Sequence, residues 1–153
     1  MTQTLLPLAL SHSGCEGRWG RHRAVTHEAM EAILRRAMSG RGQPTLQERV
    51  LASIVEFRTL TADDGLAEYL RVDALRKLGE ARFALHEIGA ADMAARVGDA
   101  IAGLRRTSRS RGDSARVWNL QQELRAAGPL LDDLIAVYAS RVRRRLMRAS
   151  RYA

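Results

Sequence analysis

The sequence holds a single cysteine, Cys15, so no disulfide framework can staple it. It has three prolines and few β-branched or aromatic residues, while Leu, Ala and Arg dominate; that balance favours helix over sheet. No apolar run approaches the roughly 20 residues needed to cross a bilayer, so no membrane span is expected. The run Leu5-Leu6-Pro7-Leu8-Ala9-Leu10 is short and no positive residue precedes it. A secretory signal is therefore not expected, and a reduced cytoplasm is the expected location. Lysine is nearly missing too: Lys77 is the only one among 25 basic residues. Arginine suits bidentate binding of phosphate or carboxylate. A coding bias towards Arg, Ala, Gly and Leu would explain the choice as well.

A chain of 153 residues is enough for one domain that hides roughly 70% of its unfolded surface. We expect an all-α fold, a single compact bundle of six or seven helices with antiparallel αα-hairpins. Residues 1–23 read as a flexible N-terminal arm, because Gly14, Gly17 and Gly20 sit among polar neighbours with no period. Residues 24–153 read as the helical domain. Thr26 is placed as the cap of a first helix with Met30, Ile33, Leu34, Ala37 and Met38 on its apolar stripe. After Gly40–Pro44, Thr45 and Glu48 form a capping box for a helix that buries Leu46, Val50, Leu51, Ile54, Val55 and Phe57.

The stretch from Thr61 to Leu104 is the most regular amphipathic segment. Thr61 and Asp64 resemble a second capping box, opening a short helix from Ala62 to about Leu70. Asp73 is placed as the cap of the next, whose apolar residues Leu75, Leu78, Ala81, Leu85 and Ile88 recur at helical spacing. Gly89 supplies a left-handed turn, and Met93, Val97, Ile101 and Leu104 line the helix that follows. Gly79, Gly98 and Gly103 are expected to allow close helix contact. Asp113 or Ser114 should cap a helix carrying Val117, Trp118, Leu120, Gln121 and Leu124. Gly128-Pro129 then opens the last helix, with Leu131, Leu134, Ile135, Tyr138, Val142 and Leu146 on its stripe. Asp132 and Asp133 near its start match the helix dipole.

Charge is uneven. Residues 24–104 hold more acids than bases, while residues 141–153 hold six arginines and no acid. Basic residues cluster at Arg105, Arg106, Arg109 and Arg111 and again at Arg141, Arg143, Arg144, Arg145 and Arg148. Arg141, Arg144, Arg145 and Arg148 would share one helix face. Such a loop and ridge have the electrostatic footprint of a nucleic-acid-binding protein, although no recognised binding motif accompanies them. The bland alternative is a solvated helix end.

Chemistry-bearing patterns are sparse. His12, Cys15, His22 and His27 match no zinc spacing, so no metal is expected. His86 beside Glu87 has no nucleophile or phosphate loop in company, so no enzyme and no cofactor are expected. Arg-Gly-Asp-Ser at 111–114 reads as a chance match to an adhesion tetrapeptide.

Ala62-Asp63-Asp64-Gly65-Leu66-Ala67-Glu68-Tyr69-Leu70, Ile88-Gly89-Ala90 with the Ala-rich helix after it, and Leu130-Leu131-Asp132-Asp133-Leu134 followed by Tyr138 are similar to motifs of one family. On these the chain resembles the bacterial DNA-mimic-protein family, as a divergent basic member, over about residues 45–150. Asp63, Asp64 and Glu68 depart from that family's Asn, Gly and Gln. The resemblance implies an all-helical, non-enzymatic protein-interaction module of regulatory or immunity type. It places the partner at the central helices, with Asp63, Asp64, Glu68 and Tyr69 as contact residues. DNA mimicry itself is not expected, because a net charge of +8 has the wrong sign. An exposed apolar face on the central hairpin would permit a homodimer.

Overall fold

The computed structural model describes residues 16–39, 42–62, 65–106 and 111–149. They form seven helices, α1 (Glu16–Met38), α2 (Leu46–Ala62), α3 (Leu66–Tyr69), α4 (Ala74–Glu87), α5 (Ala91–Arg106), α6 (Arg111–Ala126) and α7 (Gly128–Ala149), and no strand. The all-α expectation holds, and among the described residues no helix is long and apolar enough to cross a membrane.

The bundle is organised around α2. It packs against α1, α3, α4, α6 and α7. Its residues Leu51, Ile54, Phe57 and Thr61 are all fully buried, at steps of three and four. The Thr45–Glu48 capping box starts it. Glu48 N–H donates to Thr45 Oγ1 at 3.3 Å, and Thr45 N–H donates to Glu48 Oε2 at 2.6 Å. Glu48 is itself buried, and its other oxygen accepts from Arg36 Nη1 of α1 at 2.5 Å. One carboxylate thus caps α2 and ties it to the preceding helix.

Thr61 does not open a new helix. α2 runs straight through Thr61, whose hydroxyl donates to Arg58 C=O inside the helix. Asp64 lies outside the described residues. Asp73 does precede α4, but in the left-handed region (φ 58°) and with no capping hydrogen bond. Its carboxylate accepts from Arg76 Nε instead. α4 and α5 make the expected hairpin. Gly89 takes φ +92°, Ala90 N–H donates to Leu85 C=O at 2.8 Å and Gly89 N–H to His86 C=O at 3.0 Å. This pair of bonds closes the end of α4 and forces the two helices antiparallel. α5 lies on α4 and α6, and α7 lies on α1 and α2.

Several boundaries and stripes differ from expectation. α1 begins at Glu16, inside the stretch read as an arm, and Thr26 is an interior residue. α1 packs along α7, and that contact supplies the apolar partner a marginal helix needs. Ala29 and Ile33 are buried, whereas Leu34, Leu46 and Leu75 are exposed at the margins of stripes wider than their neighbours cover. α6 starts before Asp113 and Ser114, which lie in its first turn. Asp132 is held by Arg58 rather than left to the helix dipole. Gly79 faces open space, and the space beside Gly98 and Gly103 is taken by the side chains of Arg82 and Arg116, not by a close helix backbone.

Candidate functional site

The acidic motif opens at the junction of α2 and α3. Asp63 and Asp64 lie outside the described residues, but the chain on either side is pinned. Gln121 of α6 is buried, its Oε1 accepts from Leu66 N–H at 3.1 Å, and its Nε2 donates to Thr61 C=O. Gly65 N–H donates to Leu60 C=O at 2.8 Å, and a β-carbon at Gly65 would stand 2.9 Å from that same oxygen. Only glycine lets the backbone close so tightly.

Of the expected contact residues, Tyr69 is mostly buried. It is 8% exposed and belongs to the core. Its ring meets Phe57 edge-on at 6.1 Å between centroids. Lys77 Nζ stands 4.6 Å from the ring centroid and donates to Tyr69 C=O at 2.7 Å. Burial raises the phenol pKa, with Glu56 and Glu80 adding to it and Arg76 opposing. Glu68 is exposed and paired with Arg71 Nη1 at 2.9 Å.

Beside this motif an apolar groove of about 300 Å³ opens between α3, α4, α5 and α6. Ala67, Leu70, Ala74, Leu104 and Val117 line it, and Trp118 stands at 59% exposure along it. Val72 and Leu75, in the same run of chain as Leu70 and Ala74, are exposed at 71% and 43%. An indole left this open beside aliphatic side chains is the kind of surface that interfaces cover. The sequence sets Trp118 among the apolar residues of α6 and does not tell which of them the fold leaves open. The stripe of α6 is in fact Leu120, Gln121 and Leu124. A larger groove of about 570 Å³ lies between α1, α2 and α7, where Arg58 and Asp132 hold each other.

The second expected site divides. Arg105 and Arg106 are exposed at the end of α5, Arg109 lies outside the described residues, and so does the side chain of Arg111. α5 packs chiefly on α4 and α6, whereas α7 packs chiefly on α1 and α2. Arg141, Arg144, Arg145 and Arg148 are all exposed on α7. Their neighbour Arg143 pairs with Glu28 at 3.0 Å. Burial raises the Tyr138 phenol, Glu87 raises it further, and Arg145 and Arg141 lower it, which places both arginines within electrostatic reach of that ring.

His86 and Glu87 are both exposed at the end of α4, and no group of three potential metal ligands occurs among the described residues. Compared with family models, curated proteins and solved structures, the chain matches none. The likeness to the DNA-mimic-protein family therefore rests on the quoted motifs alone.

Proposed function

We propose that this chain is a non-enzymatic protein-interaction module, and that it takes its partner in the groove bounded by α3 and α6. The observation that carries the reading is Trp118, a large indole left 59% exposed against Leu70, Leu104 and Val117. Covering it would contribute on the order of 2–4 kcal/mol to a complex. Trp is among the residues that most often dominate binding energy. The exposed Glu68 lies between Ala67 and Leu70 of the groove in sequence, in keeping with a partner at the central helices. The contact passes from Tyr69, which is core, to Trp118.

The test replaces Trp118 by a photo-crosslinking phenylalanine analogue and irradiates the protein in an extract of its source cell. Phe83, 46% exposed on α4, serves as the control position. A discrete adduct at 118 and none at 83 is the expected result. With the partner in hand, Trp118→Ala should raise Kd at least about 10-fold, since a central Trp contributes about 2 kcal/mol or more. An adduct of the chain with itself would make the partner a second copy. Equal labelling at both positions would sink the reading.

A further inference from the structure

Some of the described arginines meet a carboxylate and others do not, and four of the latter stand together on α7. Arg35, Arg36, Arg58, Arg71, Arg76, Arg96 and Arg143 each meet a carboxylate. Among the described residues, no carboxylate lies within ion-pair distance of Arg141, Arg144, Arg145 or Arg148. Arg144 Nε donates only to Ser140 C=O, one turn back. These four recur at i, i+3, i+4 and i+7, so they stand over one another on a single face of α7. Like charges at that spacing repel, and no described carboxylate stands close enough to pair with them. Arg144 and Arg148 also line a pocket of about 360 Å³ with Ser140, Arg143 and Met147.

We propose that this stripe is a binding site for the phosphate backbone of a nucleic acid, separate from the groove at Trp118. Seven residues of helix rise about 10.5 Å, and a duplex strand carries a phosphate about every 3.4 Å of its axis, so the stripe faces about three phosphates. The guanidinium fork matches phosphate oxygens in pairs. An anionic membrane is the obvious competitor for the same charge. A helix that lies on a membrane must bury its apolar face in it, however, and here Ile135, Tyr138, Ala139 and Val142 are already buried in the core. With no base-reading element in view, binding should be indifferent to sequence.

The test is fluorescence anisotropy of a labelled mixed-sequence DNA duplex of 20 base pairs, titrated with the full chain across a salt series. Binding should weaken with salt with a log–log slope of about −3, from about three phosphates neutralised. Changing Arg141, Arg144, Arg145 and Arg148 together to Ala should cut affinity at least about 100-fold at low salt. Changing Arg49, Arg71, Arg76 and Arg82 to Ala removes the same charge from other exposed positions and should cost less than about 3-fold. In the unaltered protein, amide resonances of residues 141–148 should shift on adding duplex, a readout that survives if the fourfold variant misfolds. Absence of binding at low salt, equal losses in the two fourfold variants, shifts confined elsewhere, or tighter binding to phosphatidylserine vesicles than to duplex would each overturn the proposal.

Discussion

Arg58 grips Asp132 from 74 residues away, Nε to Oδ1 at 2.9 Å and Nη2 to Oδ2 at 3.1 Å. The two-bond fork joins α2 to the first turns of α7, and both side chains are mostly shielded from water. Gly128 leaves the room: a β-carbon there would stand 2.5 Å from Arg58 Nη2. Asp132→Ala should therefore lower stability by about 1–3 kcal/mol in urea unfolding. Gly128→Ala should cost about 1 kcal/mol by displacing the guanidinium, yet be neutral or mildly stabilising once Arg58 is Met. Additive losses in that double-mutant cycle would show that Gly128 and Arg58 do not share the site.

Gln121 ties the end of α2 to the start of α3. Gln121→Leu keeps the volume but leaves Leu66 N–H and Thr61 C=O without their partner in a buried place. Each orphaned group costs about 1–3 kcal/mol, so the loss should be at least about 2 kcal/mol. Hydrogen exchange at Leu66 should rise more than at Leu78 in the centre of α4. Unchanged protection at Leu66 would mean that the turn holds itself.

Parts of this were legible in the sequence and parts were not, and the division follows range. The Thr45–Glu48 box and the Gly89 turn involve residues three to five apart, and both form as expected. The Thr61–Asp64 pattern has the same local look. It opens no helix at Ala62, because α2, packed across the bundle, runs on through Thr61, which is 0% exposed with its hydroxyl on Arg58 C=O. Tyr69 is a contact residue by the family resemblance; the ring of Phe57 on α2 and the single lysine on α4 pack against it in the core. Residues 16–23 carry too weak a pattern to announce a helix, and the extent of α1 is set by its packing on α7. Trp118 was visible by type, but its exposure depends on how far α3 and α5 reach.

The buried Glu48 predicts an ordering of two variants. Thr45→Ala removes one capping bond and should cost about 1 kcal/mol. Glu48→Ala removes the return bond to Thr45 N–H and strips Arg36 of its carboxylate, so it should cost more, about 2–3 kcal/mol. Because the pair is shielded, the Glu48 loss should change little between low and high salt. A strong salt dependence would mean that the carboxylate is solvated.

Both tyrosines placed in the core have pKa values raised from the ordinary 10.0, chiefly by burial. A phenol whose folded pKa lies above its unfolded value contributes stability that is present below about pH 10 and lost as pH rises through the folded value. Absorbance at 295 nm should show Tyr69 and Tyr138 ionising later than a free tyrosine, with stability falling over that same alkaline range. Tyr69→Phe should remove one late component and flatten the alkaline loss. Ordinary titration of both rings would contradict their burial.

Two glycines ten residues apart should answer oppositely to the same change. Gly79 lies inside α4 with nothing within 4 Å of where a β-carbon would stand. Alanine there removes backbone freedom from the unfolded chain and improves helix propensity, so Gly79→Ala should stabilise by about 0.5–1 kcal/mol. Gly89 also has open space around it, but its φ of +92° is a conformation that side chains resist. Gly89→Ala should destabilise by about 1–2 kcal/mol, because it either strains the residue or gives up the Ala90–Leu85 and Gly89–His86 bonds that end α4. In a domain of this size each kcal/mol moves Tm by roughly 2–4 °C, so the two melts should separate to either side of the parent. If both moved the same way, backbone conformation would not be what stops α4 at residue 89. The hairpin that brings Ala74 and Leu104 to the groove would then owe its geometry to packing alone.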